Sequence, residues 1–88
     1  MGMTPEGFLR RLRAGKAVNC PYRRGEMIGM ISAWPHGGQF LLSWEECRES
    51  DQNDWEAYTR DELHEFETPE EVLAFVEQNS YPASAFSP

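Results

Sequence analysis

Four side chains in this sequence have the chemistry of metal ligands or nucleophiles: Cys20, His36, Cys47 and His64. Zinc sites built from such residues repeat short spacings, Cys-x-x-Cys or His-x-x-x-His, because two ligands of one turn share the tetrahedral shell. No such pair occurs here. A cysteine–histidine nucleophile needs both groups within hydrogen-bond reach of each other, and nothing in the spacing brings either cysteine to either histidine. The run Asp51-Gln52-Asn53-Asp54 has oxygen ligands but lacks the glycine and the distal glutamate of a calcium loop. Gly37-Gly38 is followed by Gln39 and Phe40, not by the Lys-Ser/Thr of a phosphate cradle. The expectation is a protein with no catalytic residues, no metal and no cofactor, a binder and not an enzyme. Cys20 and Cys47, with 26 residues between them, read as free thiols in a reducing compartment.

What the sequence does carry is polarised charge. Residues 1–24 hold Arg10, Arg11, Arg13, Lys16, Arg23 and Arg24 against Glu6 alone, +5. Residues 45–77 hold thirteen carboxylates against Arg48 and Arg60, −11, and the whole chain is −7. A contiguous acidic field attracts basic surfaces and speeds encounter with them. Aromatic side chains are threaded through the acidic stretch, and aromatic anchors ringed by charge are the usual composition of a binding hot spot. The candidate partner-binding residues are Glu45, Glu46, Glu49, Asp51, Asp54, Trp55, Glu56, Tyr58, Asp61 and Glu62. Trp44 is assigned to the core, since it shares a strand face with Phe40 and Leu42, whereas Trp55 stands at a loop edge. The competing account of the acidic residues is a solvated surface. The basic first segment could grip phosphates instead, but a chain of −7 is repelled by nucleic acid at long range, so direct nucleic-acid binding is not expected.

These residues must be positioned by a small fold. A chain of 88 residues supports one core, and its eleven aromatic residues argue against disorder. The first segment, Thr4-Pro5-Glu6 followed by Phe8, Leu9 and Leu12, has a capping threonine, a proline at the first helical position and an apolar stripe. It predicts a helix that ends near Ala14, with Gly15 as the terminator. The segment Thr68-Pro69-Glu70-Glu71 is a capping box and opens a second helix whose stripe is Val72, Leu73, Phe75 and Val76, stopping at Asn79.

Between them Met27–Trp34 and Gln39–Glu45 read as a hairpin around His36-Gly37-Gly38. With that loop Trp34 stands opposite Phe40, Ser32 opposite Leu42 and Met30 opposite Trp44, and Ile31 and Leu41 fall on the other side. Residues 55–66 fit either a helical stripe or a strand. A third strand is preferred, because an isolated hairpin is marginal and two helices need a sheet to cover. A short strand at Ala17–Asn19 would be ended by Pro21. The expected architecture is α+β in the order α-β-β-β-α, a three-stranded antiparallel sheet packed by two helices. It forms a single domain over residues 1–80, with 81–88 as a C-terminal tail. No apolar run approaches the roughly 20 residues of a membrane span and no signal peptide is visible, so no membrane partner and a cytoplasmic location are expected.

A short acidic chain with a central hairpin and the closing run Asp61-Glu62-Leu63-His64-Glu65-Phe66-Glu67-Thr68-Pro69-Glu70-Glu71-Val72-Leu73-Ala74-Phe75-Val76 resembles the small immunity proteins of bacterial toxin systems. The likeness covers the last third of the chain. It implies an immunity or antitoxin-like inhibitor that neutralises a basic protein partner, such as a toxin or another nucleic-acid-acting protein. Two alternatives are a phage-encoded inhibitor that mimics nucleic acid with the same acidic surface and a nucleic-acid-binding domain that uses the basic first segment.

Overall fold

The computed structural model describes residues 2–88. Its elements are helix α1 (Pro5–Arg13), strands β1 (Val18–Arg24), β2 (Met27–His36), β3 (Gln39–Arg48) and β4 (Arg60–Phe66), and helix α2 (Pro69–Gln78). Short 3-10 turns occupy Glu49–Asp51, Trp55–Ala57 and Ala83–Ala85. The strands form one antiparallel sheet in sequence order, β1-β2-β3-β4. The sheet has four strands where the sequence suggested three.

The additional strand is β1, and Pro21 lies inside it, opposite Met30. Asn19 exchanges two 2.8 Å backbone hydrogen bonds with Ser87, outside the sheet. Residues two apart on a strand direct their amides to the same side, so the position of Pro21 also faces outward and its missing N–H breaks no ladder bond. The strand therefore continues through the proline. At the other end, only residues 60–66 of the ambiguous segment are strand.

Both helices begin as their caps require. The Thr4 hydroxyl accepts from the Gly7 amide at 3.0 Å, and in α2 the Thr68 and Glu71 side chains satisfy each other's backbone amides reciprocally. Both helices also end in a Schellman arrangement. In α1, Lys16 N donates to Arg11 O and Gly15 N to Leu12 O; in α2, Tyr81 N donates to Val76 O and Ser80 N to Glu77 O. Gly15 has the positive φ this ending needs, +85°, and in α2 Ser80 adopts it at +72°.

The hairpin turn between β2 and β3 is Gly37-Gly38, with φ of +58° and +81°. Positive φ at both central residues makes a two-residue loop of the kind whose twist matches the strands. His36 and Gln39 are therefore paired, and Trp34 stands opposite Leu41, Ala33 opposite Leu42 and Ile31 opposite Trp44. The expected register is off by one on β2. The slip moves Ile31 and Ala33 to the inner face and Met30, Ser32 and Trp34 to the outer one, because side chains alternate with period two.

The two helices cover one face of this sheet. Phe8, Leu12, Val18, Cys20, Ile31, Ala33, Leu42, Trp44, Val72, Leu73 and Val76 are buried there. The segment expected to be a tail belongs to this core. Ala83 and Phe86 are buried with it, Phe86 meeting Phe8 edge-on at 5.2 Å, and the strand-like bridge to Asn19 secures the end. An aromatic side chain covers enough apolar area to hold so short a segment in place.

Candidate functional site

The chemistry-bearing residues of the sequence are separated by the sheet. Cys20 and Cys47 are free and buried, Cys20 within the helix-covered core and Cys47 on the opposite face, three residues beyond Trp44. Burial raises the Cys20 thiol above its ordinary pKa. His36 is exposed beside the hairpin turn, whereas His64 lies on the helix side, 2.8 Å from the Glu62 carboxylate and 4.7 Å from the Phe75 ring. Among the described residues no three potential ligands converge on a metal position.

Glu46 and Glu62, read from the sequence as partner contacts, are instead engaged on the helix-covered face. Strand alternation places them on the side of Trp44. Glu46 is 7% exposed. It accepts from Tyr22 Oη at 2.8 Å, from Arg24 at 2.9 Å and from the Thr59 hydroxyl at 3.1 Å. Trp44 Nε1 donates to Tyr22 Oη at 2.8 Å, and the Arg60 guanidinium lies 3.6 Å over the Trp44 ring while bonding Glu62 at 3.0 Å. A buried carboxylate requires such satisfaction, so this network is a brace for the sheet and for the segment entering β4.

Much of the basic first segment is likewise consumed within the fold. Arg13 pairs with Glu70, Arg23 makes two hydrogen bonds to Glu49 at 2.8 and 2.9 Å, Arg24 pairs with Glu46, and Arg11 donates to Ala17 O at 2.8 Å. The Arg23 fork holds the Glu49 carboxyl below its ordinary pKa. Phosphate binding has few of these cations left to use.

Among the described residues, the second face of the sheet carries no helix. By the observed registers it presents Pro21 and Arg23 from β1, Ile28, Met30, Ser32 and Trp34 from β2, Leu41, Ser43 and Glu45 from β3, and Asp61, Leu63 and Glu65 from β4. Leu63 is 66% and Met30 39% exposed, unusual values for large apolar residues in a sheet. Glu45, Asp61 and Glu65 are exposed and form no ion pair among the described residues. Met30 stands opposite Glu45 and Leu63 lies between Asp61 and Glu65, with Ser32 and Ser43 paired in the middle, so exposed apolar side chains alternate with carboxylates across the face.

The connection from β3 to β4, residues 49–59, folds over one end of this face. Trp55 stands out of it at 70% exposure, with Asp54 and Glu56 exposed on either side and Asp51 half-buried. Tyr58 is half-buried; its Oη donates to Gln52 O at 3.1 Å, and desolvation raises its pKa. Between the connection and the sheet is an open pocket of about 270 Å³, lined by Ile28, Met30, Glu45, Cys47, Asn53 and Tyr58 among others.

Of the sequence-selected residues, the structure gathers Glu45, Asp51, Asp54, Trp55, Glu56, Tyr58 and Asp61 around this face and its covering loop. Glu49 joins the loop but is held by Arg23. Met30, Trp34, Leu41 and Leu63 were missed. For Met30 and Trp34 the signal was the pair of glycines, since a two-residue turn at Gly37-Gly38 sends both outward; Leu41 is out of phase with Leu42 and Trp44 in either register, and Leu63 is the apolar residue of β4 out of phase with His64 and Phe66. Among the described residues no helix is long and apolar enough to cross a membrane. The chain matches no protein-family model, no curated protein and no solved structure.

Proposed function

We propose that this chain is a protein-binding module, not an enzyme, that neutralises a basic partner in the manner of an immunity or antitoxin protein. The observation that carries the reading is the uncovered sheet face, where Leu63 is exposed between Asp61 and Glu65 on β4 and Met30 is exposed opposite Glu45. A small domain that leaves apolar side chains in water on one face forgoes stabilisation it could have gained by covering them, and such patches rimmed by polar groups mark interfaces. Four strands at about 4.8 Å spacing and some eight residues of about 3.3 Å rise give a face of roughly 500 Å². With the 49–59 loop this approaches the roughly 800 Å² that one partner contributes to a standard interface. The unpaired carboxylates select a cationic surface and accelerate its arrival.

The test compares the tagged chain with its Met30→Asp/Leu63→Asp variant for capture of proteins from the source cells. The expected result is a basic protein retained by the parent alone, whose nucleic-acid-directed or toxic activity is abolished at one-to-one stoichiometry. Capture of the same proteins by both forms, or a captured protein whose activity is unaffected, overturns the proposal.

A further inference from the structure

The pocket between the sheet and the 49–59 loop defines what the partner must offer. At about 270 Å³ it is below the usual range of small-molecule sites, roughly 300–1,000 Å³, and it suits one long side chain entering from a protein surface. Ile28 and Met30 supply apolar wall, Tyr58 an aromatic ring and Glu45 an exposed carboxylate. An aliphatic stem, a planar cationic head that can stack on a phenol ring and a fork that matches a carboxylate are together the properties of arginine.

The surrounding field has the same requirement. Glu45, Asp51, Asp54, Glu56 and Asp61 have no ion-pair partner among the described residues, while the nearby Arg60 is committed to Trp44 and Glu62 on the far side of the sheet. A second copy of this chain docking face to face would bring these carboxylates against their equivalents, and a nucleic acid would bring phosphates against them. We infer that this pocket receives an arginine side chain projected by the basic partner, with Glu45 and Tyr58 as its recognition residues. The inference rests on the reading of the chain as a binder of a basic protein, and it names the central contact of that interface.

The test uses the whole chain, labelled with nitrogen-15, and a capped pentapeptide Ala-Leu-Arg-Leu-Ala beside versions carrying lysine, norleucine or glutamate at the centre. The arginine peptide should shift the amides of Met30, Cys47, Asn53 and Tyr58 saturably, and bind about threefold to tenfold tighter than the norleucine peptide, with lysine between. Glu45→Gln should erase that preference, and Tyr58→Leu should erase the advantage of arginine over lysine. Equal binding of the arginine and norleucine peptides, absence of any shift at the pocket, or shifts confined to Trp34, Leu41 and Leu63 overturns the pocket assignment and leaves the basic-partner reading standing. A glutamate peptide that binds as well as the arginine peptide overturns both. If the peptides show the expected order and a Glu45→Gln chain nonetheless behaves as the parent, the pocket assignment is again overturned.

Discussion

Tyr22 donates a 2.8 Å hydrogen bond to Glu46, and this contact joins the edge strand β1 to β3 across the intervening strand β2. What makes it possible is Gly29, which lies between them in the ladder: a side chain there would collide with the Tyr22 ring. The ring therefore lies over a bare backbone and packs against Tyr81 at 5.0 Å.

Tyr22→Phe should keep this packing while leaving Trp44 Nε1 without its acceptor and Glu46 with one donor fewer, a cost of about 1–3 kcal/mol. Burial, aided by Glu46 and opposed by the Trp44 indole, holds the Tyr22 phenol well above its ordinary pKa of 10.0. The unfolded phenol therefore ionises first. The stability associated with Tyr22 is fully present below about pH 10 and is lost as the pH rises toward the folded value. Urea midpoints at about pH 7 and about pH 10.5 should fall more steeply for the parent than for Tyr22→Phe. Equal slopes would show that the phenol is not held protonated by the fold.

Ser80 carries a positive φ at a position where a helix ending of this type prefers glycine. A left-handed conformation costs a residue with Cβ roughly 1–2 kcal/mol, part of which is returned by the lower freedom of serine in the unfolded chain. Ser80→Gly is expected to stabilise by about 0.5–1 kcal/mol, and Gly15→Ala, the converse change after α1, to destabilise by a similar amount. Thermal melts of the two variants should move in opposite directions.

Phe86 is 1% exposed although it is the third residue from the end of the sequence. Phe86→Ala should cost about 3–5 kcal/mol, a large fraction of the stability of so small a domain. A melt unchanged by this substitution would mean that residues 81–88 are dispensable for the fold.

The helices were legible because capping is local: Thr4-Pro5-Glu6 and Thr68-Pro69-Glu70-Glu71 hold their own donors and acceptors within one turn. The sheet was less so. Whether Pro21 ends a strand depends on which way its absent N–H points, and that is set by the register of β1 on β2, which the residues around the proline do not specify. The acidic residues chosen as contacts were sorted only in part, because adjacent strand residues face opposite sides. Glu45 and Glu46 are neighbours, yet one is exposed on the open face and the other is enclosed by Tyr22, Arg24 and Thr59. The open face itself followed from the register. Taking His36 into the loop turned Trp34 inward, whereas Gly37 and Gly38, each able to take positive φ, suffice for the turn without it.

The carboxylates and the apolar residues of the open face should affect binding at different stages. Glu45, Asp61 and Glu65 are exposed and form no ion pair among the described residues, so changing all three to lysine should leave the melting temperature nearly unchanged. The triple variant should associate more slowly with a basic partner and lose most of the salt dependence of its on-rate, because steering arises from the summed field and is screened within about 8–10 Å at ordinary ionic strength. Leu63→Ala changes no charge. If Leu63 is desolvated at the centre of the contact, its truncation should leave the on-rate alone and speed dissociation, at a cost of about 1–2 kcal/mol in affinity. Association and dissociation rates against the captured partner, measured at about 50 mM and about 500 mM salt, separate the two effects. Should the triple reversal bind at the parental rate in both salts while remaining folded, the carboxylates of this face are a solvated margin. An unaltered dissociation rate for Leu63→Ala would place the partner elsewhere on the molecule.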